Sequence, residues 1–334
     1  MEILVVGAGS IGKRHIRNLL AVGIRPENIS VIDPREDRRE GAFNLGIKAL
    51  YEEIDTALRD RKFCASIICS PTSMHIPQAL ELVGQGVNLL IEKPLSHNLN
   101  GAKELIQAAN RADVSVLVGY IFRFSPLTAK VVRLLANGAI GKVLYVRGEF
   151  SEFLPDWHPY EDYRSFYMAE QSQGGGSLLD QSHVIDLVHY LCGSFRSVYA
   201  VNKTLSSLEI NADDFAELIV TLEDGIIASI HTDIFGRDYK KQLEIKGEEG
   251  NIYWDFYANT VSIYRCDSRS CETYKQFPTD FNLTYIDEIR HFLACCEKKE
   301  QPLASLQNGI ETMSIIEAAK RSRLSGAIEV VEKL

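Results

Sequence analysis

Two short stretches of this sequence carry side chains that could handle protons. Glu92-Lys93-Pro94 follows an apolar run, so Lys93 would stand at the carboxyl end of a buried strand. An ammonium group in that place can donate a hydrogen bond to a developing alkoxide or to a carbonyl oxygen. The alternative for this stretch is a surface loop with a salt bridge and a turn proline.

The second stretch reads GGGSLLDQSHVID and runs from Gly174 to Asp186. A helix beginning near Leu178 would place Asp180 and Asp186 about 60° to either side of His183. An imidazole between two carboxylates is a suitable general base, oriented by one of them and poised near neutral pH. The alternative is an aspartate cap, a core histidine and a solvent-facing aspartate. The three glycines predict backbone that passes close to another group, such as a cofactor or a sugar ring.

A third stretch, from Trp157 to Tyr167, is dense in aromatic and hydrogen-bonding side chains. Aromatic faces stack on the C–H surfaces of sugars, and arginine binds carboxylates or phosphates through two hydrogen bonds. Trp157, Tyr163 and Arg164 are therefore candidates for substrate contact. The same residue types also hold long loops against a domain, which is the other interpretation.

The elements that must position these groups begin at the N-terminus. An apolar run at 3–6 predicts a strand, and a glycine-rich turn and an amphipathic helix follow it. The turn has the pattern G-x-G-x-x-G, formed by Gly7, Gly9 and Gly12. In a dinucleotide site these glycines allow the tight turn, the approach of the pyrophosphate and the packing of helix on strand. The helix N-terminus, at Ser10 and Ile11, then offers N–H groups to the phosphates.

A second apolar strand, 29–32, ends in Asp33, which lies 21 residues beyond the last glycine. This acid would accept hydrogen bonds from the adenosine ribose hydroxyls. Its charge would repel a 2′-phosphate, which favours NAD as the cofactor. Arg35 and Arg38 could pair with that phosphate instead, so NADP stays an alternative.

Strands and helices alternate from Asp33 to about residue 120, and this alternation predicts a doubly wound parallel sheet. The predicted segments are helices at 54–60, 75–83 and 100–110 and strands at 65–68, 87–91 and 114–119. Ligands bind such sheets outside the carboxyl ends of the strands. The candidate residues just after these strands are Ser70, Pro71, Glu92, Lys93, Tyr120 and Arg123.

The pattern changes near residue 123, where short strands separated by turn residues begin. They are predicted at 143–150, 198–203, 215–222, 226–232, 242–246, 252–256 and 261–264. Asp224-Gly225 and Glu249-Gly250 suit hairpin turns, so this sheet should be large, open and mostly antiparallel. Helices near 126–136, 178–191, 284–297 and 308–323 would cover one face, and the other face would suit an oligomer interface. The predicted fold class is α/β, with a Rossmann dinucleotide-binding domain at 1–122 and a substrate-binding and oligomerisation domain at 123–334.

The overall composition of the 334 residues agrees with this interpretation. A net charge of -9 argues against a nucleic-acid partner, and no apolar run approaches the length that a membrane span requires. The N-terminus lacks the pattern of a signal peptide. Seven cysteines without a C-x-x-C motif suit reduced thiols rather than disulfides or a metal site, so we expect a cytoplasmic protein.

Several motifs together resemble one known family, the glucose–fructose oxidoreductase/inositol dehydrogenase/rhizopine-catabolism (Gfo/Idh/MocA) proteins. The resemblance spans nearly the whole chain in order, and its motifs are GAGSIGKRHIRNL, SPTSMH, EKP, VGYIFRFSP, GGGSLLDQSHVIDL and IDEIRHFLACCEKKEQPL with GIETMSIIEAAKRSRLSG. The family implies a Rossmann domain followed by an α/β domain whose open sheet is used in oligomers, here a homodimer or homotetramer. Its members mostly oxidise or reduce secondary alcohols of sugars, nucleotide sugars and cyclitols with NAD or NADP.

The resemblance also implies roles for individual residues. Lys93 matches the catalytic lysine, His183 the catalytic histidine and Asp180 the catalytic or orienting aspartate. Ser70 and His75 would line the cofactor, and Arg123 would lie near the nicotinamide and the substrate.

The histidine segment departs from the usual pattern of the family. Many members have the aspartate and histidine four residues apart with a glycine between them, whereas Asp180 and His183 are three apart. This departure leaves open whether Asp180 or Asp186 orients His183. The leading hypothesis is an NAD(P)-dependent dehydrogenase or reductase of a sugar, nucleotide sugar or cyclitol. The alternatives are an NAD-recycling glycoside hydrolase and a non-catalytic protein that senses sugars or dinucleotides.

Overall fold

The structure, a computed structural model, describes residues 1–157, 161–276 and 280–334. Within these residues the strands are β1 (Ile3–Val6), β2 (Ile29–Ile32), β3 (Ala49–Tyr51), β4 (Ala65–Ile68), β5 (Asn88–Ile91), β6 (Val116–Val118), β7 (Val143–Phe153), β8 (Phe195–Lys203), β9 (Phe215–Leu222), β10 (Ile227–Asp233), β11 (Phe235–Gly247), β12 (Gly250–Asp255), β13 (Thr260–Arg265), β14 (Ser270–Lys275) and β15 (Glu329–Val330). The helices are α1 (Ser10–Ala21), α2 (Glu36–Phe43), α3 (Ile54–Asp60), α4 (His75–Val83), α5 (Ala102–Ala112), α6 (Pro126–Ala136), α7 (Ser177–Asp180), α8 (Ser182–Cys192), α9 (Asn282–Cys296) and α10 (Leu306–Ser325).

The chain divides into two compact units. The first contains residues 1–121 and 281–309, and the second contains residues 122–280 and 310–334. The expected assignment of functions to domains at 1–122 and 123–334 stays a prediction.

The first unit is built on a parallel sheet with the strand order β3-β2-β1-β4-β5-β6 among the described residues. Strands β1, β2 and β4 are buried along their whole length, as expected for strands covered by helices on both faces. Strands β2 and β3 lie on one side of β1, and β4, β5 and β6 lie on the other. Ligands of such sheets bind where the strand order reverses in this way, outside the carboxyl ends of the strands. The parallel Rossmann sheet predicted from the sequence is confirmed.

Gly7 and Gly12 make the turn after β1 possible. Gly7 has a φ of +94°, and a Cβ there would lie 2.7 Å from the carbonyl oxygen of Cys69. A Cβ on Gly12 would lie 2.0 Å from the carbonyl oxygen of Gly7. A side chain at Gly7 would therefore collide with the backbone after β4, and one at Gly12 would push α1 away from the turn.

Helix α9 does not cover the antiparallel sheet, which corrects one expectation. It belongs to the first unit and packs on α1. Arg14 of α1 stacks over Tyr285, with 4.7 Å between the guanidinium carbon and the ring centre, and the side-chain amides of Asn18 and Asn282 hydrogen-bond each other. Apolar spacing predicted the helix correctly but could not indicate which sheet it covers.

The second unit is built on a sheet with the order β14-β13-β12-β11-β7-β10-β9-β8-β15 in the described chain. Its strands pair antiparallel except β7 with β10, so the predicted mostly antiparallel sheet is confirmed. A turn at Asp224-Gly225 joins β9 to β10, as expected. Helix α8 packs on β7 so closely that a Cβ on Gly148 would lie 2.5 Å from the side chain of Val184.

Candidate functional site

The first turn of α1 is shaped to accept an anion. Gly9 precedes this helix, and within the described chain no side chain caps its N-terminus, so Ser10 and Ile11 begin it with N–H groups that lack an intrahelical acceptor. A Cβ on Gly9 would meet only the guanidinium of Arg38, at 3.8 Å, so the backbone is open there. The residues around this turn fit the pyrophosphate of a dinucleotide.

Asp33 lies beside that turn and is almost fully buried. Its Oδ2 accepts a hydrogen bond from the backbone N–H of Ala8 at 2.8 Å, and its Oδ1 accepts one from the backbone N–H of Arg35 at 3.0 Å. The guanidinium of Arg38 lies 3.6 Å from the same carboxylate. These contacts hold the acid at the end of β2 in the place expected of a ribose acceptor.

Two arginines near Asp33, Arg35 and Arg39, are paired with other acids, whereas Arg38 lies against Asp33 itself. Arg35 donates two hydrogen bonds to Asp37, at 3.0 and 2.7 Å. These bonds lower the pKa of the Asp37 carboxyl. Arg39 donates to Glu52 at 2.7 Å. The expected contact of Arg35 with a cofactor stays a prediction.

His75 joins the loops that follow β4 and β5. Its two ring nitrogens lie 2.9 Å from the carbonyl oxygen of Ser70 and 3.0 Å from that of Pro94. Burial lowers the pKa of His75. The Ser70 hydroxyl donates to Gln78 at 2.6 Å, and Pro71 begins a short turn. The loop residues expected at the cofactor are thus fixed to one another through this buried imidazole.

Glu92 points into the first unit and supports the Lys93 backbone. Its Oε1 lies 2.7 Å from Nε2 of His15, and its Oε2 accepts a hydrogen bond from the backbone N–H of Lys93 at 3.2 Å. The Lys93–Pro94 peptide bond is cis. Burial alone would raise the pKa of Glu92, but the hydrogen bond and charge of His15 outweigh it and lower this pKa. A direct contact of Glu92 with a cofactor stays a prediction.

A second carboxyl, that of Glu288, is buried in the same region. It is fully buried, and neither of its oxygens has a hydrogen-bond partner among the described residues. Burial and the nearby charge of Glu92 raise the pKa of Glu288 well above its ordinary value. The pKa values of Glu92 and Glu288 are thus shifted in opposite directions, as expected for two carboxyls in one buried region.

The segment around His183 is not one continuous helix, which corrects the sequence-based geometry. Helix α7 ends at Asp180, Gln181 leaves helical geometry with a ψ of 17°, and α8 begins at Ser182. Asp180 and His183 therefore lie in different helices, so the single helix that the expected arrangement assumed is not formed, and which acid orients His183 stays a prediction. Asp180 is buried and accepts a hydrogen bond from the hydroxyl of Tyr167 at 2.8 Å.

Asp186 forms an ion pair with Arg123 inside the second unit. The guanidinium donates to Oδ1 at 2.7 Å and to Oδ2 at 3.0 Å, and both side chains are at most 2% exposed. Arg123 also stacks over Tyr190 at 4.6 Å. Burial raises the pKa of Asp186, against the lowering effect of Arg123. Asp186 is thus occupied by this arginine, and the expected contact of Arg123 with cofactor or substrate stays a prediction.

An aromatic residue positions His183. Phe122 packs edge-on against the imidazole, with ring centres 5.0 Å apart. Phe122 in turn contacts the rings of Phe150, Trp254 and Phe256, each edge-on. The imidazole therefore packs against a cluster of aromatic rings.

The three glycines before α7 approach other parts of their own unit. A Cβ on Gly175 would lie 2.4 Å from the carbonyl oxygen of Met168, and one on Gly176 would lie 2.3 Å from a carboxylate oxygen of Asp213. Asp213 also accepts a hydrogen bond from the backbone N–H of Leu178. Internal packing therefore explains Gly175 and Gly176, without the cofactor or sugar that the sequence analysis suggested.

The described residues of the aromatic stretch, Trp157 and 161–167, contact other parts of the second unit. Trp157 and Tyr163 pack on a small core formed by Leu154, Phe166, Met168 and Ile234. Arg164 bonds to Asp162 and to Glu209. The structure supports the interpretation that these residues fasten the loop, and their contact with a substrate stays a prediction. His158, Pro159 and Tyr160 of this loop lie outside the described residues.

Comparisons with known proteins identify the family. Residues 1–120 match the GFO_IDH_MocA model of an oxidoreductase family with an NAD-binding Rossmann fold, and residues 128–253 match a GFO/IDH/MocA C-terminal domain. Together the two models cover more than half of the chain. The chain belongs to the GFO/IDH/MocA family. It is an oxidoreductase whose N-terminal domain is NAD-binding.

Relatives of this GFO/IDH/MocA chain include named dehydrogenases. It is 27% identical to a myo-inositol 2-dehydrogenase of Thermotoga maritima, with 96% of each chain covered. It is 28% identical to a scyllo-inositol 2-dehydrogenase (NAD(+)) of Bacillus subtilis, covering 90% of this chain and 87% of that one. The fold matches a levoglucosan dehydrogenase solved with NADH and levoglucosan, with a TM-score of 0.88 at 21% identity over 99% of each chain.

Sequence reasoning missed several polar residues of the GFO/IDH/MocA C-terminal domain. Gln181 lies inside the histidine motif, where the acids and the imidazole are the residues that indicate catalysis. Its amide donates to Glu152 at the end of β7, and Lys241 of β11 pairs with the same carboxylate. The signal that could have found Glu152 is the period-2 pattern of β7, which places it on the same face as Val146 and Phe150.

Within the described residues, no helix is both long and apolar enough to span a bilayer.

Proposed function

We propose that this protein is an NAD-dependent dehydrogenase that acts on a secondary alcohol of a cyclitol or a sugar ring. The observation that carries the proposal is the conjunction of two features in one family member. The first unit holds Lys93 just after β5 of an NAD-binding fold, and the second holds His183 against Phe122, three residues after Asp180 in the chain. The names of the inositol dehydrogenase relatives supply the substrate class.

The proposed roles follow from the chemistry of each side chain. His183 takes the proton of the substrate hydroxyl, with Asp180 as its orienting or catalytic partner. The ammonium group of Lys93 donates to the oxygen on which negative charge develops. Bound NAD supplies the hydride acceptor at C4 of its nicotinamide, and reduction of a ketone is the same reaction in reverse.

The surroundings of Asp33 favour NAD over NADP. Its buried carboxylate stands where the ribose hydroxyls of the adenosine would bind, and it would repel a phosphate. Arg35 is paired with Asp37 and Arg39 with Glu52, and Arg38, the other candidate for binding that phosphate, lies 3.6 Å from Asp33 itself. NADP remains the alternative cofactor.

The expectations of a homodimer or homotetramer and of a cytoplasmic location stay predictions. On the sheet of the second unit, Tyr199, Ile219 and Ile227 lie on one face and are exposed, which supports the proposed oligomer interface.

The test is turnover by the wild type and by two variants. Wild-type protein should reduce NAD with at least one member of a panel containing myo-inositol, scyllo-inositol and aldoses, followed by NADH absorbance. Lys93→Met and His183→Ala should lose turnover by at least about 100-fold, as expected when a hydrogen-bond donor to the developing negative charge or a general base is removed. Both variants should still bind NAD in a calorimetric titration, because neither change alters the glycine-rich turn.

A matched control is Lys240→Met, since Lys240 is an exposed lysine of β11 and should be dispensable. Undiminished turnover in both Lys93→Met and His183→Ala would contradict the proposal.

A further inference from the structure

The face of the second sheet that α8 covers, called the inner face below, carries two charged side chains near the N-terminus of this helix. Along β7, Val146, Gly148 and Phe150 face α8, and the alternation of the strand puts Glu152 on the same face. On β11, Lys241 pairs in register with Phe150 and so shares that face. The residues of this face are therefore apolar under α8, and an ion pair follows them near the start of this helix.

Glu152 and Lys241 are the centre of a compact polar cluster. Nζ of Lys241 lies 2.9 Å from Oε2 of Glu152, and the amide of Gln181 donates to the same oxygen at 3.2 Å. The hydroxyl of Tyr257 donates to Oε1. The two charged side chains are 12% and 16% exposed, so they are sheltered but still reachable.

Aromatic rings surround the ammonium group of Lys241. It lies 5.8 Å from the centre of the Phe150 ring, 5.6 Å from that of Phe256 and 5.8 Å from that of Tyr257. The ring of Tyr239 lies 6.1 Å from that of Tyr257, and its hydroxyl donates to Asp156. The cluster therefore combines two opposite charges with flat apolar faces.

The cluster adjoins the proposed proton-transfer group. Gln181 stands between Asp180 and His183 in the chain, and its amide reaches Glu152. Phe256 contacts Tyr257 on one side and Phe122 on the other, and Phe122 packs against the imidazole of His183. Both the backbone and the aromatic side chains thus connect the cluster to His183.

Packing alone does not account for this choice of residues. A sheltered ion pair contributes little more stability than apolar residues of similar size, and the same face uses apolar residues under α8. A carboxylate accepts hydrogen bonds from hydroxyl groups, an ammonium group donates to their oxygens, and aromatic faces accept sugar C–H surfaces. Two neighbouring hydroxyls of one ring would satisfy both charges at once.

We propose that Glu152 and Lys241 bind two adjacent hydroxyls of the substrate ring, away from the carbon that is oxidised, with Tyr257 against its C–H face. The ligand class is a polyhydroxylated ring with vicinal free hydroxyls. This inference rests on the proposed function and assigns the residues that select its substrate.

The test compares variants on opposite faces of the same two strands. Glu152→Gln and Lys241→Met should raise KM for the polyol by about 10- to 100-fold, as expected for the loss of a hydrogen bond to a charged group. Their kcat should stay within about threefold and their KM for NAD should not change, because the reacting carbon is untouched. Glu149→Gln and Lys240→Met remove a pair on the other face, where Nζ and Oε1 are 3.2 Å apart, and should behave as wild type.

A substrate analogue separates recognition from structural support. Wild type should lose affinity for a ring that lacks one of the two hydroxyls, whereas Glu152→Gln should lose little further affinity for it. A KM unchanged in both inner-face variants would overturn the inference. If Glu152→Gln raised KM equally for the full ring and for the ring that lacks one hydroxyl, the inference would also be overturned, because a purely structural role of Glu152 gives that result.

Calorimetric binding of the same polyols to NAD-loaded wild type and Glu152→Gln distinguishes this inference from the proposed function. If Glu152→Gln weakens polyol binding, the inference is supported, whether or not hydride transfer occurs. The absence of hydride transfer would contradict only the proposed function. Turnover by wild type with unweakened binding in Glu152→Gln contradicts only the inference.

Discussion

The buried pair of Arg123 and Asp186 gives the sharpest prediction about the second unit. Asp186→Asn keeps the size of the side chain but removes the negative charge, and it leaves a guanidinium that is only 2% exposed. The pair itself adds little net stability, because burial raises the pKa of Asp186 in spite of Arg123. Breaking it is different, since the buried guanidinium then loses its charge-assisted hydrogen bonds to Asp186.

The expected loss follows from this geometry. Removing one partner of a buried, doubly hydrogen-bonded pair costs about 3–5 kcal/mol. A domain of this size loses about 2–4 °C in melting temperature per kcal/mol, so the transition of the second unit should fall by about 6–20 °C. Differential scanning calorimetry and urea unfolding measure the two quantities.

Two further variants complete the experiment. Replacing both partners, as Arg123→Met with Asp186→Leu, should be less destabilising than the sum of the single changes, because the two changes remove one shared interaction. Asp287→Asn breaks an exposed pair with Arg290 and should change stability by less than about 0.5 kcal/mol.

Melting temperature and turnover, measured together, test whether Asp180 is the acid that orients His183. Asp180→Asn should keep a melting temperature near that of wild type, since the Tyr167 hydroxyl can still donate to an amide oxygen, yet should lose turnover. An Asp186→Asn protein that melts within about 2 °C of wild type would refute the reasoning about the buried pair.

The remaining predictions concern the first unit. Asp33→Ser should lower kcat/KM for NAD by about 10- to 100-fold and raise that for NADP, because a ribose acceptor is lost and Arg38 is freed; equal effects on both cofactors would contradict this. Glu288→Gln should flatten the pH dependence of unfolding. Because the pKa of Glu288 is raised in the folded state, its contribution to stability is fully present below its ordinary pKa of 4.5. This contribution is lost as the pH rises through the folded-state pKa. Parallel wild-type and variant curves in urea unfolding at a series of pH values would contradict that assignment.

The sequence predicted the parts of the molecule that depend on local patterns. The glycines at 7, 9 and 12, the strand that ends in Asp33 and the position of Lys93 after β5 each follow from short-range spacing, and the structure places them as expected. Hairpin turns such as Asp224-Gly225 likewise revealed the antiparallel sheet.

The features that the sequence could not supply depend on partners far along the chain. The break at Gln181 leaves the spacing of Asp180 and His183 unchanged in the sequence, yet it removes the symmetry expected of one helix. Arg123 lies 63 residues from Asp186, and nothing in either local pattern indicates that they pair. The packing of α9 on α1 joins segments that are 264 residues apart at Asn18 and Asn282.

The central claim is that a hydride passes from a ring carbon to the nicotinamide, and isotope transfer tests it most directly. A polyol that supports turnover is prepared with deuterium on its carbinol carbons, and the NADH formed is analysed by mass spectrometry. We expect NADH that carries one deuterium, at C4 of the nicotinamide, together with a ketone product. NADH without deuterium, or no reduction of NAD with any ring polyol of the panel, would contradict the account.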